Sequence, residues 1–376
     1  MNRIFCFVLV FIISLTCMPV VASGADITVS AESAVVMIAH TGQIVYEKNA
    51  YEKRGMASTT KIMSSVVALE YGKLYSRINA SLDDINVEGT SLGLKEGDSI
   101  DLLSLVSGML ISSGNDSANV TATLVGGGKS GFVKLMNLKA RELGMDSTQF
   151  MNPSGLTEEG HYSTAYDMAL LGSYAIKNPI FRTICSSKKR VVSFGDPVSE
   201  REIYNHNRFL DMYEGAFGIK TGFTKASGRC LVTAAERNGV VLVAVTLNAP
   251  DDWNDHIKLM DYGFSRVKLH AIEVECPCVD VVGADKSSVK TRLTKELCIP
   301  YCGDIPSYTK NIYTDHFVYG SLRENDYLGY VEVSFSDTII MKTYLVSEES
   351  ANAIISETSE RTFIEKLKEF LRKGLS

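Results

Sequence analysis

Three things are scarce in this chain of 376 residues. Cysteine is one, because eight residues are too few for a scaffold built on disulfides. Excess positive charge is another. Lys and Arg number 38 against 44 Asp and Glu, a net charge of −6, which argues against nucleic acid as the main partner. The same sign removes any whole-protein attraction to anionic membranes or wall polymers. Long apolar runs are the third: beyond the first residues, none reaches the roughly 20 needed to cross a bilayer. Internal repeats are absent too. What is present is ordinary for a packed core, with 45% apolar and 22% charged residues, so disorder is excluded. The length suits two domains plus extra segments, at about 100–200 residues per domain.

The one apolar stretch reads as an export signal. Asn2-Arg3 is a short polar start, Ile4 to Ile13 is nearly all apolar, and Pro19 precedes the small residues Ala22, Ser23, Gly24 and Ala25. That layout predicts a signal peptide over 1–25, cut after Ala22 or Ala25. A membrane anchor is the competing reading, and the run is short for it. Cys17 would suggest lipidation, but Ser14-Leu15-Thr16 lacks the small residue expected just before a lipidated cysteine. Cleavage before Asp26 would take the net charge from −6 to −7. The mature protein is expected outside the cytoplasm.

Periodicity then organises the chain. Ala34–Ala39 and Gln43–Glu47 are strand-like and joined by His40-Thr41-Gly42. Lys61 to Tyr71 reads as a helix with Ile62, Val66 and Leu69 on one face. Further helices are expected near 102–110, 116–124, 131–143 and 164–176. Strands return near Ala216, and Asn238-Gly239 between two apolar runs is a strong hairpin signal. A helix over about 253–264 closes the unit. Strands, then helices, then strands imply one sheet assembled from both ends of a domain spanning 26–270. From 271 to 350 short alternating runs such as Tyr327–Phe335 read as a small all-β module. In the tail, 351–376, Phe363, Leu367, Phe370 and Leu371 fall on one helical face, with Lys366, Lys368, Arg372 and Lys373 around it.

Ser58-Thr59-Thr60-Lys61 sets a hydroxyl and an amine three apart at a helix start, on one face. A serine hydroxyl is a weak nucleophile until a base takes its proton. A lysine serves as that base once burial or a neighbouring cation lowers its pKa. The helix start adds a backbone N–H for a developing oxyanion. The spacing alone is weak evidence, since it recurs at Ser186/Lys189 and Ser287/Lys290, which read as exposed polar loops. Two further motifs strengthen it. Ser113-Gly114-Asn115 falls between two helices, and Lys220-Thr221-Gly222 falls within a strand over Ala216–Thr224. Look-alikes at Ser117-Ala118-Asn119 and His40-Thr41-Gly42 lack the joint order and context.

The sequence here resembles the serine D-alanyl-D-alanine carboxypeptidases, the low-molecular-weight penicillin-binding proteins. The resemblance is carried by 57–63 (ASTTKIM), 109–116 (MLISSGND) and 218–224 (GIKTGFT), supported by 150–156 (FMNPSGL), 163–169 (STAYDMA), 205–210 (NHNRFL) and 228–231 (GRCL). It implies an α+β domain like that of serine β-lactamases and penicillin-binding proteins, an antiparallel sheet with helices on both faces. A small β-sandwich and an amphipathic helix lying on the membrane surface follow. It implies that Ser58 is the acylated nucleophile, Lys61 its general base, Ser113 a proton relay and Lys220 an electrostatic partner. Asn115, Thr221 and Gly222 would bind substrate, and the backbone N–H groups of Ser58 and Phe223 would form the oxyanion hole. The implied partners are peptidoglycan peptides ending in D-Ala-D-Ala and β-lactam antibiotics, with no nucleic acid, no cofactor and no catalytic metal.

One departure stands out. The family often carries an arginine on the strand-to-helix segment after the third motif, holding the substrate carboxylate. Here 249–256 reads APDDWNDH, acidic and without arginine, so Thr221 and Lys220 alone, Arg229 or His256 are the candidates. Two other functions compete with this one. A serine β-lactamase of class A needs an extra glutamate for deacylation, and no E-x-x-L-N segment lies between Asn115 and Lys220. A silent peptidoglycan-binding protein would not need all three motif sites. Cys276, Cys278, Cys298 and Cys302 cluster in the β module, where disulfides are favoured over a zinc site because of export. Cys185 and Cys230 read as small buried hydrophobes.

Overall fold

A computed structural model describes residues 27–335, 338–354, 365–369 and 372. Nine strands fall in its first part: β1 (Ser33–Ile38), β2 (Ile44–Lys48), β3 (Arg77–Asn79), β4 (Ser99–Asp101), β5 (Lys189–Gly195), β6 (Val198–Tyr204), β7 (Ala216–Thr224), β8 (Gly228–Arg237) and β9 (Val240–Leu247). The main sheet runs β2-β1-β9-β8-β7, antiparallel throughout. Its two ends of sequence meet where Val35 faces Val245 across β1 and β9. Asn238 and Gly239 both have positive φ, 50° and 79°, the twist that a two-residue hairpin between β8 and β9 requires.

β9 is buried along its whole length, because both faces of the sheet are covered. Val35, Met37, Val243 and Val245 pack against the inserted helices. Val36, Ile38, Leu242 and Ala244 pack on the other face with Leu259 and Met260 of the closing helix, Asp252–Arg266. The period-2 alternation of these apolar residues thus sorts into two cores. On the closing-helix side His256 is fully buried, its two ring nitrogens 2.7 and 2.9 Å from the hydroxyls of Thr233 and Thr246. Burial pushes its pKa down to about 3. His256 is therefore committed to packing and does not reach a substrate.

A second sheet, β3-β4-β5-β6, was not foreseen. Lys189, expected in a loop, instead opens β5 and pairs with Glu202 across the β5–β6 hairpin at 2.8 Å. The signal is faint because six of the seven residues of β6 are exposed, so no apolar alternation marks it. Lys290, the other presumed loop lysine, lies in a strand as well.

The β-rich remainder comprises β10 (Val267–Ala271), β11 (Cys278–Val282), β12 (Ser288–Leu293), β13 (Cys298–Cys302), β14 (Thr309–Thr314), β15 (Phe317–Tyr319), β16 (Tyr327–Phe335) and β17 (Thr338–Ser347). β10 pairs with β13, and the others form one sheet in the order β14-β16-β17-β12-β11-β15. Ile299 of β13 shares a core with Val331, Val333 and Leu345. The β1–β2 turn grips this part through Gln43, whose amide donates to Cys302 O at 2.9 Å and accepts from Cys302 N at 2.7 Å.

Cys276, Cys278, Cys298 and Cys302 are all free thiols, contrary to the favoured disulfide reading. Cys298 and Cys302 sit at opposite ends of one strand, about 13 Å apart at the usual rise, beyond disulfide reach. The zinc reading finds no support either: no cluster of three or more His, Cys, Asp or Glu side chains suited to a metal exists among the described residues. Cys185 and Cys230 are buried as expected. The expected signal peptide, 1–25, lies outside the described residues, as do Phe363, Phe370, Leu371 and Lys373 of the tail. Residues 365–369 are helical with all five side chains exposed. No helix among the described residues is long and apolar enough to cross a membrane.

Candidate active site

Ser58 sits in a 3-10 turn, Ala57–Thr60, that runs straight into the helix Lys61–Tyr71. The turn replaces the α-helical start expected from sequence, yet the spacing of three still works: Lys61 Nζ is 3.0 Å from Ser58 Oγ. Two other atoms hold the amine, Asn115 Oδ1 and the Ser154 carbonyl, each at 2.6 Å. Both can only accept. A neutral lysine has two N–H bonds to give them, which leaves its lone pair for the Ser58 hydroxyl. Lys61 is wholly buried, and burial first, the charge of Lys220 second, push its pKa well below the ordinary lysine value.

Asn115 opens the helix Asn115–Gly126 two residues after Ser113, which adopts a left-handed φ of 61°. Ala57, just before Ser58, is also left-handed at 47°. Such conformations are costly for residues with a Cβ, and here they flank the two hydroxyls of the site. The Asn115 amide is tied at both ends, since its Nδ2 donates to Glu88 O at 2.6 Å. Next to it the buried carboxylate of Asp116 accepts from Ser91 Oγ and from the backbone N–H groups of Leu92, Gly93 and Leu94, at 2.6 to 3.1 Å. Asp116 thereby folds the 88–94 loop over the cleft. In sequence Asp116 is only the last residue of the 109–116 motif, with no signal of this task.

The third motif lies on β7, the free edge of the main sheet. Lys220 is 1% exposed, donates to Thr221 O at 3.0 Å, and is lowered to about 7 by burial. Gly222 lines the cleft, and its bare Cα faces the 3-10 turn: a Cβ there would lie 3.0 Å from both Ser58 N and Thr59 N. The glycine lets the strand press against the backbone of the turn that carries Ser58.

A cleft of about 280 Å³ collects Ser58, Ser113, Thr221, Gly222 and Phe223 with Thr90, His206, Arg229, Asp252 and Trp253. Lys61, Asn115 and Lys220 lie buried beneath it. A larger depression of about 380 Å³ around His40, Lys177 and Arg182 holds none of the motif residues.

A family model described as D-alanyl-D-alanine carboxypeptidase, Peptidase_S11, matches residues 20–251. The chain belongs to the D-alanyl-D-alanine carboxypeptidase family. Among curated carboxypeptidases it is 34% identical to DacF of Bacillus subtilis over 261 residues, 66% of each chain. Among solved structures it is similar to the Streptomyces K15 DD-transpeptidase, at 30% identity and TM-score 0.61, over 64% of this chain and 98% of that one. DacD of Francisella tularensis matches at 25% identity and TM-score 0.62 over 91% of this chain and 98% of that one, so the likeness extends into the β-rich part. The fold is thus that of the penicillin-binding carboxypeptidases, and this chain is a serine hydrolase of their class.

The 150–156 segment of this carboxypeptidase acts through its backbone. Gly155 has φ 87°, and a Cβ on it would fall 2.0 Å from Ala57 O. This glycine seats the loop whose Ser154 carbonyl receives Lys61. Gly155→Ala should displace that carbonyl and slow penicillin acylation on the order of 100-fold, as misplacement by an ångström does. Stopped-flow labelling with a fluorescent penicillin measures it; an acylation rate within threefold of the parent would contradict this role.

Proposed function

We propose that this protein is a serine carboxypeptidase that removes the terminal D-alanine from peptidoglycan stem peptides through an acyl-enzyme on Ser58. The observation that carries the reading is the buried Lys61 amine, 3.0 Å from the Ser58 hydroxyl and held there by two acceptors. Ser58 Oγ attacks the carbonyl between the last two D-alanines while Lys61 takes its proton. The oxyanion is met by the backbone N–H groups of Ser58 and Phe223. Ser113 passes a proton to the leaving amine, Lys220 stabilises the developing charge, and Asn115 and Thr221 hold the substrate. Water then releases the shortened peptide. A β-lactam carbonyl is attacked in the same way, but its amine stays tethered within the acyl group.

The site of action follows from the sequence ends. Export through the 1–25 segment would put the enzyme at the outer face of the cytoplasmic membrane. The exposed helix at 365–369, with Leu367 between Lys366 and Lys368, supports peripheral attachment through an amphipathic tail.

Two experiments test these readings. The chain from residue 26, incubated with a synthetic peptide ending in D-Ala-D-Ala, should release D-alanine and form a covalent penicillin adduct. Ser58→Ala should abolish both; persistence of the adduct in that variant would assign the nucleophile elsewhere. In vesicle sedimentation with anionic lipid, the same chain should pellet and one ending at Ile354 should not. Equal partitioning of the two would refute tail anchoring.

A further inference from the structure

We infer that Arg229 is the clamp for the substrate's free terminal carboxylate and that Asp252 is its positioning residue, an inference that rests on the carboxypeptidase reading above. A carboxypeptidase selects a chain end that carries a negative charge, and an open cleft needs a dependable cation to recognise it. Lys61 is buried and held toward its neutral form. Lys220 is buried, lowered to about 7, and its Nζ is turned to Thr221 O. His206 is lowered by burial and by Lys220. Among the described residues that line the cleft, Arg229 supplies the one guanidinium, a planar fork that matches a carboxylate.

The register places it well. Arg229 on β8 lies directly across from Phe223 on β7, and Thr221 is two residues away on the same face. All three line the cleft. The guanidinium is set by the first residue of the closing helix: Arg229 Nε and Nη2 approach the same oxygen, Asp252 Oδ1, at 2.9 and 2.8 Å. The Asp252 side chain is 4% exposed, whereas that of Arg229 is 42% exposed, with Trp253 beside it at 5.8 Å. One edge of the fork is thus anchored on a buried carboxylate, and Nη1 has no partner among the described residues. That is the arrangement in which an arginine takes a second carboxylate.

The acidic 249–256 segment then makes sense. It supplies no arginine; its Asp252 instead fixes an arginine reaching over from the neighbouring strand. His256, the other candidate, is spent on Thr233 and Thr246.

The test compares a peptide ending in D-Ala-D-Ala with its C-terminal amide, using the full mature chain and its Arg229→Gln, Arg229→Lys and Asp252→Asn variants. The wild type should prefer the free acid. Arg229→Gln should lose about 10- to 100-fold in kcat/KM on the acid, mainly through KM, and under about threefold on the amide, the size of a lost charge-assisted hydrogen bond. Arg229→Lys should recover part of the preference, and Asp252→Asn should lose part of it. An acid-to-amide ratio unchanged in Arg229→Gln would overturn the inference, as would equal losses on both substrates, which mark a structural role. A wild type that cleaves neither peptide, releasing no D-alanine from the acid and no D-alaninamide from the amide, would sink the carboxypeptidase reading itself, and the clamp with it.

Discussion

The removal of one ammonium group from water governs this site. Burying a charged lysine costs several kcal/mol even after local relaxation, on the order of magnitude known for buried ions. Among the described residues no carboxylate pairs with Lys61; its partners are an amide oxygen, a backbone carbonyl and the Ser58 hydroxyl. The structure thus resolves the cost by favouring the neutral amine. Lys220, equally buried, adds like-charge repulsion in the same direction. The carboxylate of Asp116 pulls the other way, but its oxygens are engaged by the 88–94 loop.

The remainder of the domain brings four distant stretches to that amine. Closure of the sheet by β1 and β9 leaves β7 as a free edge, and the glycine at 222 lets that edge touch the turn carrying Ser58. The helix Asn115–Gly126 supplies the amide oxygen, and the 150–156 loop supplies the carbonyl. Charge is then sorted by depth. Two buried lysines lie below the cleft floor, while a guanidinium lies partly exposed at its rim. On the proposed reading, proton transfer and recognition of an anion fall to different side chains.

Much of this was legible because it rests on spacing. Ser58 and Lys61 share a face in a 3-10 turn as they would in an α-helix, so the pair was readable whichever formed. The Lys220 motif sat in an apolar alternating run, and Asn238-Gly239 announced its hairpin. The parts that escaped are those in which backbone or exposed polar residues act. The Ser154 carbonyl has no side-chain signature. Gly155 and Gly222 look alike in sequence, and only their neighbours show that one packs on Ala57 O and the other on Ser58 N. The hairpin of β5 and β6 hid behind charged residues. Four cysteines close in sequence suggested bridges, but strand geometry holds two of them at opposite ends of β13.

The pH dependence of single-turnover acylation by a penicillin tests the central claim most directly. A neutral Lys61 acting as base predicts a rate that rises with pH through the lowered lysine pKa and levels off well below the ordinary lysine value of about 10.4. A rate that is flat from acid to neutral pH, or that climbs without a plateau to pH 10, would contradict it.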